Sequence, residues 1–287
     1  MAYRHPEYLI SPEALAEDLD NPNRRVFDTT VHLRPAEKGY RAESGRADYD
    51  AGHIPGAQFL DLMSDASDTS TGLGFSLPPA QQLESLFRRL GVGNDTQVVF
   101  YSTGHMMWAT RAWWLAYYCG HENIAVLDGG FRGWQTKELP VTTEPAHFGD
   151  GNFQAAPRPE VFVDRARVLD AIGDGQVCTI NALSPEVFSG ESKFDYGRKG
   201  HITGSLNLYY DELMQEGYFK DADALSSALA EKGLLDAPSV ISYCGGGISA
   251  TIDSFACLLV GQHNVAVYDG SMSEWVKDPA LPMQTGA

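Results

Sequence analysis

The stretch Ser239-Val240-Ile241-Ser242-Tyr243-Cys244-Gly245-Gly246-Gly247-Ile248-Ser249-Ala250-Thr251 passes from a short apolar run through three glycines into a helical pattern. An apolar run of strand length that ends in a glycine turn and continues as a helix is the strand-to-helix step of a parallel sheet. Sites in such sheets lie at the carboxyl ends of strands, which is where Cys244 falls. Consecutive glycines turn their N–H groups inward without side-chain clashes, and the helix N-terminus that follows adds partial positive charge. Together they form an anion cradle around one sulfur and favour a thiolate. The competing reading is a buried structural cysteine beside a flexible loop, but a glycine triplet serves core packing poorly.

Outward from this stretch, the chain repeats itself once. Gly52-His53-Ile54-Pro55-Gly56-Ala57 corresponds to Gly200-His201-Ile202-Thr203-Gly204-Ser205, and Val98-Val99-Phe100-Tyr101-Ser102 to Val240-Ile241-Ser242-Tyr243-Cys244. Asp128-Gly129 matches Asp269-Gly270, with Trp134 and Trp275 at the same offset beyond them, and Ala109-Thr110 matches Ala250-Thr251. Buried strands are expected at Arg25–Asp28, Gln97–Phe100 and Ile124–Leu127, and again at Val177–Ile180, Ser239–Ser242 and Val265–Tyr268. Helices are expected between them, for example Ala224–Lys232 and Ser249–Val260. The fold class is therefore α/β, with a parallel sheet flanked by helices used twice. The periodicities break over Thr142–Asn152 and Pro157–Pro159. The expected domains are 1–145 and 160–287, joined by a linker at 146–159. The glycine-bearing stretches Ser70–Phe75 and Phe188–Lys193 read as loops placed to cover a pocket.

A chain of 287 residues suits two domains, and 43% hydrophobic residues with 11% aromatics suffice for real cores. The formal net charge of −17 argues against nucleic acid or an anionic membrane surface as a partner. An anionic substrate then needs a local basic pocket. No segment has signal-peptide or membrane-span character, so a cytoplasmic location is expected. The four cysteines, Cys119, Cys178, Cys244 and Cys257, are too scattered for a disulfide framework or a zinc site, and no metal or cofactor is called for. Cys119 and Cys257 lie in apolar helical surroundings that suit core packing; only Cys244 has nucleophile surroundings.

These landmarks, together with Arg111-Ala112-Trp113-Trp114, Leu127-Asp128-Gly129-Gly130 and Tyr268-Asp269-Gly270-Ser271, carry a resemblance over nearly the whole chain. The sequence resembles the tandem rhodanese-domain sulfurtransferases, the group that includes thiosulfate and 3-mercaptopyruvate sulfurtransferases. The resemblance implies two tandem rhodanese-like domains, of which the second is catalytic and the first, with Ser102 at the cysteine position, is not. It implies that Cys244 takes the outer sulfur of a small anionic donor, holds it as a persulfide, and passes it to cyanide or a thiol acceptor such as a thioredoxin-like protein. By family usage thiosulfate stands ahead of 3-mercaptopyruvate as the donor. The N–H groups of Gly245, Gly246, Gly247, Ile248 and Ser249 would stabilise the charged persulfide. Ser271, after Asp269 and Gly270, matches a family position facing the active-site loop and is expected to help hold Cys244, a simple turn serine being the alternative.

The chain departs from the family pattern in two places. The serine that follows the cysteine by two positions in the mercaptopyruvate type is Gly246 here, and its acid partner in the first domain is absent, so His53 is expected to be structural. The donor-binding arginine that usually ends an Asp-Ala-Arg element is Leu183 in Asn181-Ala182-Leu183. Arg198 and Lys199 are the nearest replacement for that anion clamp, and Arg111 is a candidate from the other domain or else an interdomain packing residue. A phosphatase-type Cys-x5-Arg loop is excluded because residue 250 is alanine. A serine hydrolase at Ser102 lacks an oxyanion cradle, although His105 is near in sequence. The competitor from another class is a non-enzymatic persulfide carrier or binding module, loaded by a partner protein.

Overall fold

The computed structural model describes residues 2–36 and 39–286. The first sheet contains β1 (Leu9–Ile10), β2 (Arg24–Asp28), β3 (Ala57–Phe59), β4 (Gln97–Tyr101) and β5 (Ile124–Leu127). The second contains β6 (Phe162–Val163), β7 (Val177–Asn181), β8 (Leu206–Asn207), β9 (Ser239–Tyr243) and β10 (Val265–Tyr268). Every pairing within the two sheets is parallel, and their orders coincide: β1-β5-β4-β2-β3 and β6-β10-β9-β7-β8. The duplication legible in the motifs is thus a duplication of topology. The central strands are continuous apolar runs because helices cover both faces, leaving no polar side to alternate with.

The two units pack through the helices that follow their central strands, Met107–Tyr118 after β4 and Ala250–Leu259 after β9. All ten residues of Ala250–Leu259 are buried, which explains a helix with apolar residues all round and only Thr251, Asp253 and Ser254 polar. Trp113 stands edge-on to Phe255 at 4.9 Å, and the repeat-related hydroxyls of Thr110 and Thr251 meet at 2.7 Å. Truncating Phe255 to alanine here costs about 3–5 kcal/mol.

Each unit also reaches across to the other. The backbone N–H of Leu77 donates to Asp269 at 2.7 Å, and that of Phe219 donates to the repeat-related Asp128 at 3.0 Å. A hairpin pairing Val31–Pro35 with Tyr40–Ser44, not foreseen from the sequence, projects from the first unit and brings Leu33, Tyr40 and Ala42 toward the second unit's strand ends. Near the start of the chain, the Tyr3 hydroxyl donates to the Lys220 carbonyl at 2.6 Å and the Arg4 N–H to the Leu259 carbonyl at 2.7 Å, so this segment lies against the second unit.

The connecting stretch is a strap along the first unit. The Arg25 guanidinium sits 3.8 Å over the Phe148 ring, Phe153 is buried against Phe87, and the Ala156 N–H donates to the Cys119 carbonyl at 2.8 Å. All four cysteines are free thiols, and burial pushes Cys119 up to about 12 and the thiol of Cys257 higher still. No helix among the described residues is long and apolar enough to cross a membrane, and no group of three or more metal-ligating side chains occurs among them.

Candidate active site

Cys244 directly follows β9 and is 2% exposed, in the lining of an open cavity of about 460 Å³. One buried hydroxyl organises the loop around it. Ser271 Oγ accepts the N–H of Cys244 at 3.1 Å and that of Gly247 at 3.0 Å, while donating to the Tyr268 carbonyl at 2.8 Å. Ser271 itself adopts the left-handed conformation, φ 47°, uncommon for a residue with a side chain. That strain turns the backbone so that Met272 N–H donates to the Cys244 carbonyl at 3.1 Å and Ser273 N–H to the Gly245 carbonyl at 2.8 Å. Gly247 has φ 73°, and a Cβ there would lie 2.6 Å from the Asp269 carbonyl oxygen, so only glycine fits. Gly246 faces open space, with nothing nearer than 3.9 Å to a Cβ.

The cradle differs in one member from the sequence expectation. The Gly247 N–H belongs to Ser271 and does not face the sulfur. The N–H groups of Gly245, Gly246, Ile248 and Ser249 have no acceptor among the described residues and remain for an anion. The N-terminus of Ala250–Leu259 adds its partial positive charge from behind.

Three acidic groups feel the charge of Cys244. The Tyr196 hydroxyl packs against Gly245, and burial, followed by the nearby charge of Cys244, pushes its phenol well above the ordinary range. Burial does the same to Tyr210, with Tyr209 and then Asp211 and Cys244 adding to the rise. Asp253, one turn into the helix, is fully buried with neither carboxyl oxygen hydrogen-bonded, and burial, followed by the charges of Cys244 and Glu212, pushes its carboxyl well above the usual carboxylate range. The shift of each of these groups disfavours a further negative charge beside a thiolate or persulfide.

The candidate anion clamp is not assembled. Both terminal nitrogens of Arg198 donate to the Leu281 carbonyl at 3.0 Å, and one also donates to the Asp278 carbonyl at 3.1 Å. Arg198 staples the C-terminal segment to the domain, and neither it nor the exposed Lys199 lines the cavity. Their place in the chain beside Gly200-His201 did not reveal which way they point. Arg111, 1% exposed, pairs with Asp269 at 2.7 Å and donates to the carbonyls of Gly247 and Phe75, so it braces the active-site loop from the other domain. Among the described residues no arginine or lysine lines the cavity.

Its lining comes from both units and includes five aromatic residues, Tyr40, Phe75 and Trp108 from the first and Phe194 and Tyr196 from the second, together with Asp195. The sequence reading missed these residues. Phe75 does fall in a stretch read as a covering loop, and Phe194 directly follows the other. His53 has both ring nitrogens at backbone carbonyls, of Tyr49 at 2.7 Å and Glu144 at 3.1 Å, a structural setting away from the cavity. At the repeat-related position, Ser102 donates its hydroxyl to the His105 carbonyl at 2.7 Å, while His105 Nε2 lies 3.5 Å from Asp211, so no serine–histidine pair forms.

Comparison with known proteins identifies the family. The rhodanese-like domain family matches residues 11–137 and 166–278. The chain is 32% identical over 280 residues to the 3-mercaptopyruvate sulfurtransferase of Escherichia coli K12, covering 96% of this chain and 98% of that protein. It is 30% identical to the mouse thiosulfate sulfurtransferase, covering 94% of this chain and 92% of that one. The solved structure of SseA from Escherichia coli, described as a 3-mercaptopyruvate sulfotransferase with the rhodanese fold, superposes with a TM-score of 0.82 at 31% identity, over 92% of this chain and 98% of that one. The chain belongs to the rhodanese family, as a sulfurtransferase with two tandem rhodanese domains.

Proposed function

We propose that Cys244 is the nucleophile of this sulfurtransferase and carries the transferred sulfur as a persulfide. The observation that supports this most strongly is the Cys244 loop, with four unclaimed N–H groups and a helix N-terminus around a sulfur that faces a cavity. The thiolate attacks the outer sulfur of the donor, the donor's sulfur bond breaks, and the donor leaves with the electron pair. The N–H groups stabilise the negative charge on the sulfur so formed. The upward shifts at Tyr196 and Asp253 act against ionised neighbours that would repel that charge.

Thiosulfate is the preferred donor in this reading. Its charge is compact enough to be met by the loop N–H groups at Cys244, whereas the distant carboxylate of 3-mercaptopyruvate would lie among aromatic rings and Asp195 with no cation among the described residues. Cyanide or a thiol accepts the sulfur, and a thioredoxin-like protein qualifies where its cysteine reaches the cavity floor. The protein acts in the cytoplasm. The test is steady-state kinetics with both donors, following sulfite and pyruvate release, beside Cys244→Ser. Ping-pong kinetics with thiosulfate, abolished by the substitution, support the enzyme. Release with neither donor leaves the persulfide carrier in its place.

A further inference from the structure

We propose that the cavity before Cys244 is a binding site for an organic ammonium group, and that the acceptor it selects is a cationic thiol. This rests on the persulfide reading and extends it to the second substrate. The cavity, about 460 Å³, far exceeds the needs of a donor as small as thiosulfate, so most of its wall serves something else. Five aromatic side chains contribute to that wall. Tyr40 meets Phe194 at 6.0 Å and Phe194 meets Tyr196 at 4.9 Å, both edge to face, and Phe75 and Trp108 stand 5.2 Å apart.

Ring faces attract alkylammonium cations through their quadrupoles, and Tyr40, 62% exposed, is the most accessible ring of the lining. Asp195 adds a carboxylate to the lining; one oxygen accepts the Gly197 N–H at 2.8 Å, and no cationic side chain pairs with it among the described residues. The chain's net charge of −17 draws cations toward such a cleft and repels anionic thiols. The site thus has two ends of opposite preference. N–H groups at the floor suit the sulfur and its negative charge, while rings and a carboxylate further out suit a positive group.

The transfer step balances without a further reactant. The acceptor thiolate attacks the outer sulfur of the Cys244 persulfide, and the bond from that sulfur to Cys244 Sγ breaks. Its electron pair stays on Cys244, regenerating the thiolate, and the acceptor leaves as its own persulfide.

The binding arm of the test uses Cys244→Ser protein, titrated with choline, its neutral isostere 3,3-dimethylbutan-1-ol, and isethionate, followed by calorimetry or ligand-observed NMR. Choline is expected to bind at least about tenfold more tightly than either, with the preference largely erased in the Tyr40→Leu/Asp195→Asn double variant. Choline binding no better than the neutral isostere, or isethionate binding best, overturns the cation site. The transfer arm compares discharge of sulfur-loaded native protein by thiocholine and by 2-mercaptoethanesulfonate. Faster discharge by thiocholine, again by at least about tenfold, supports the acceptor class, and equal or reversed rates overturn it. If no donor loads sulfur on Cys244, the persulfide reading and the acceptor role fall together, while the choline titration still decides what the cavity binds.

Discussion

Replacing Ser271 by alanine removes the hydroxyl that holds the Cys244 and Gly247 N–H groups of the loop against the Asp269 turn. The hydroxyl is fully buried and accepts two N–H groups, those of Cys244 and Gly247, neither of which has another acceptor in reach. A buried donor left unmatched costs about 1–3 kcal/mol, so two cost about 2–6 kcal/mol, less what the loop recovers by opening to water. The left-handed φ of 47° remains unfavourable in the alanine variant. Ser271→Gly separates the two effects, because glycine relaxes the backbone while still lacking the hydroxyl. The direct assay is amide hydrogen exchange by mass spectrometry on peptides covering 240–252. Protection of the Cys244 and Gly247 amides should fall by at least about tenfold in both variants, with the glycine variant recovering part of the global stability but none of the local protection. Sulfur transfer should slow in step with the opened loop. If Ser271→Gly retains native protection and native rate, the hydroxyl is not what holds the loop, and the positioning argument fails.

Gly247→Ala should be strongly destabilising and inactive, because its Cβ would meet the Asp269 carbonyl at 2.6 Å, whereas Gly246→Ala should fold with a melting temperature close to native. Arg111→Met should cost about 3–5 kcal/mol in urea unfolding by stranding Asp269 and two carbonyls, and adding Asp269→Asn should return part of the loss; additive losses would contradict a coupled pair. The Asp28 carboxyl, raised by burial from its ordinary 3.8 to about 6, gives a pH signature. Between these values the folded chain holds a proton that the unfolded chain has released, so stability falls as pH rises, and the penalty is complete above about 6. Relative to Asp28→Asn, the native chain should therefore lose about 2–3 kcal/mol between pH 4 and pH 7 in urea titrations; a difference that is flat or rises with pH would contradict the assignment.

Local grammar made the doubled sheet readable. The strands at Gln97, Ile124, Ser239 and Val265 are apolar runs closed by turn residues, and they begin where the sequence places them because nothing else accommodates a run buried on both faces. Cys244 was legible for the same reason, since its loop chemistry is contained within six residues. The role of Ser271 came through family resemblance; the geometry then showed that it captures the Gly247 N–H, a pairing across a turn that the sequence could not place. The cavity wall was not legible, because its rings come from Tyr40, Phe75, Trp108, Phe194 and Tyr196, far apart in the chain and from both units. Arg198 shows the converse. It lies beside Gly200-His201 in sequence, yet its guanidinium turns away to two carbonyls near the C-terminus, and adjacency in sequence carried no information about that direction.

Intact-protein mass spectrometry of the reduced chain after brief exposure to thiosulfate, with Cys244→Ser alongside, reads the covalent step itself. Native protein should gain about 32 Da, one sulfur, and lose it again on addition of cyanide, while the variant stays unchanged. A native protein that gains no sulfur from thiosulfate or 3-mercaptopyruvate, or a variant that gains as much as the native chain, would contradict a persulfide on Cys244.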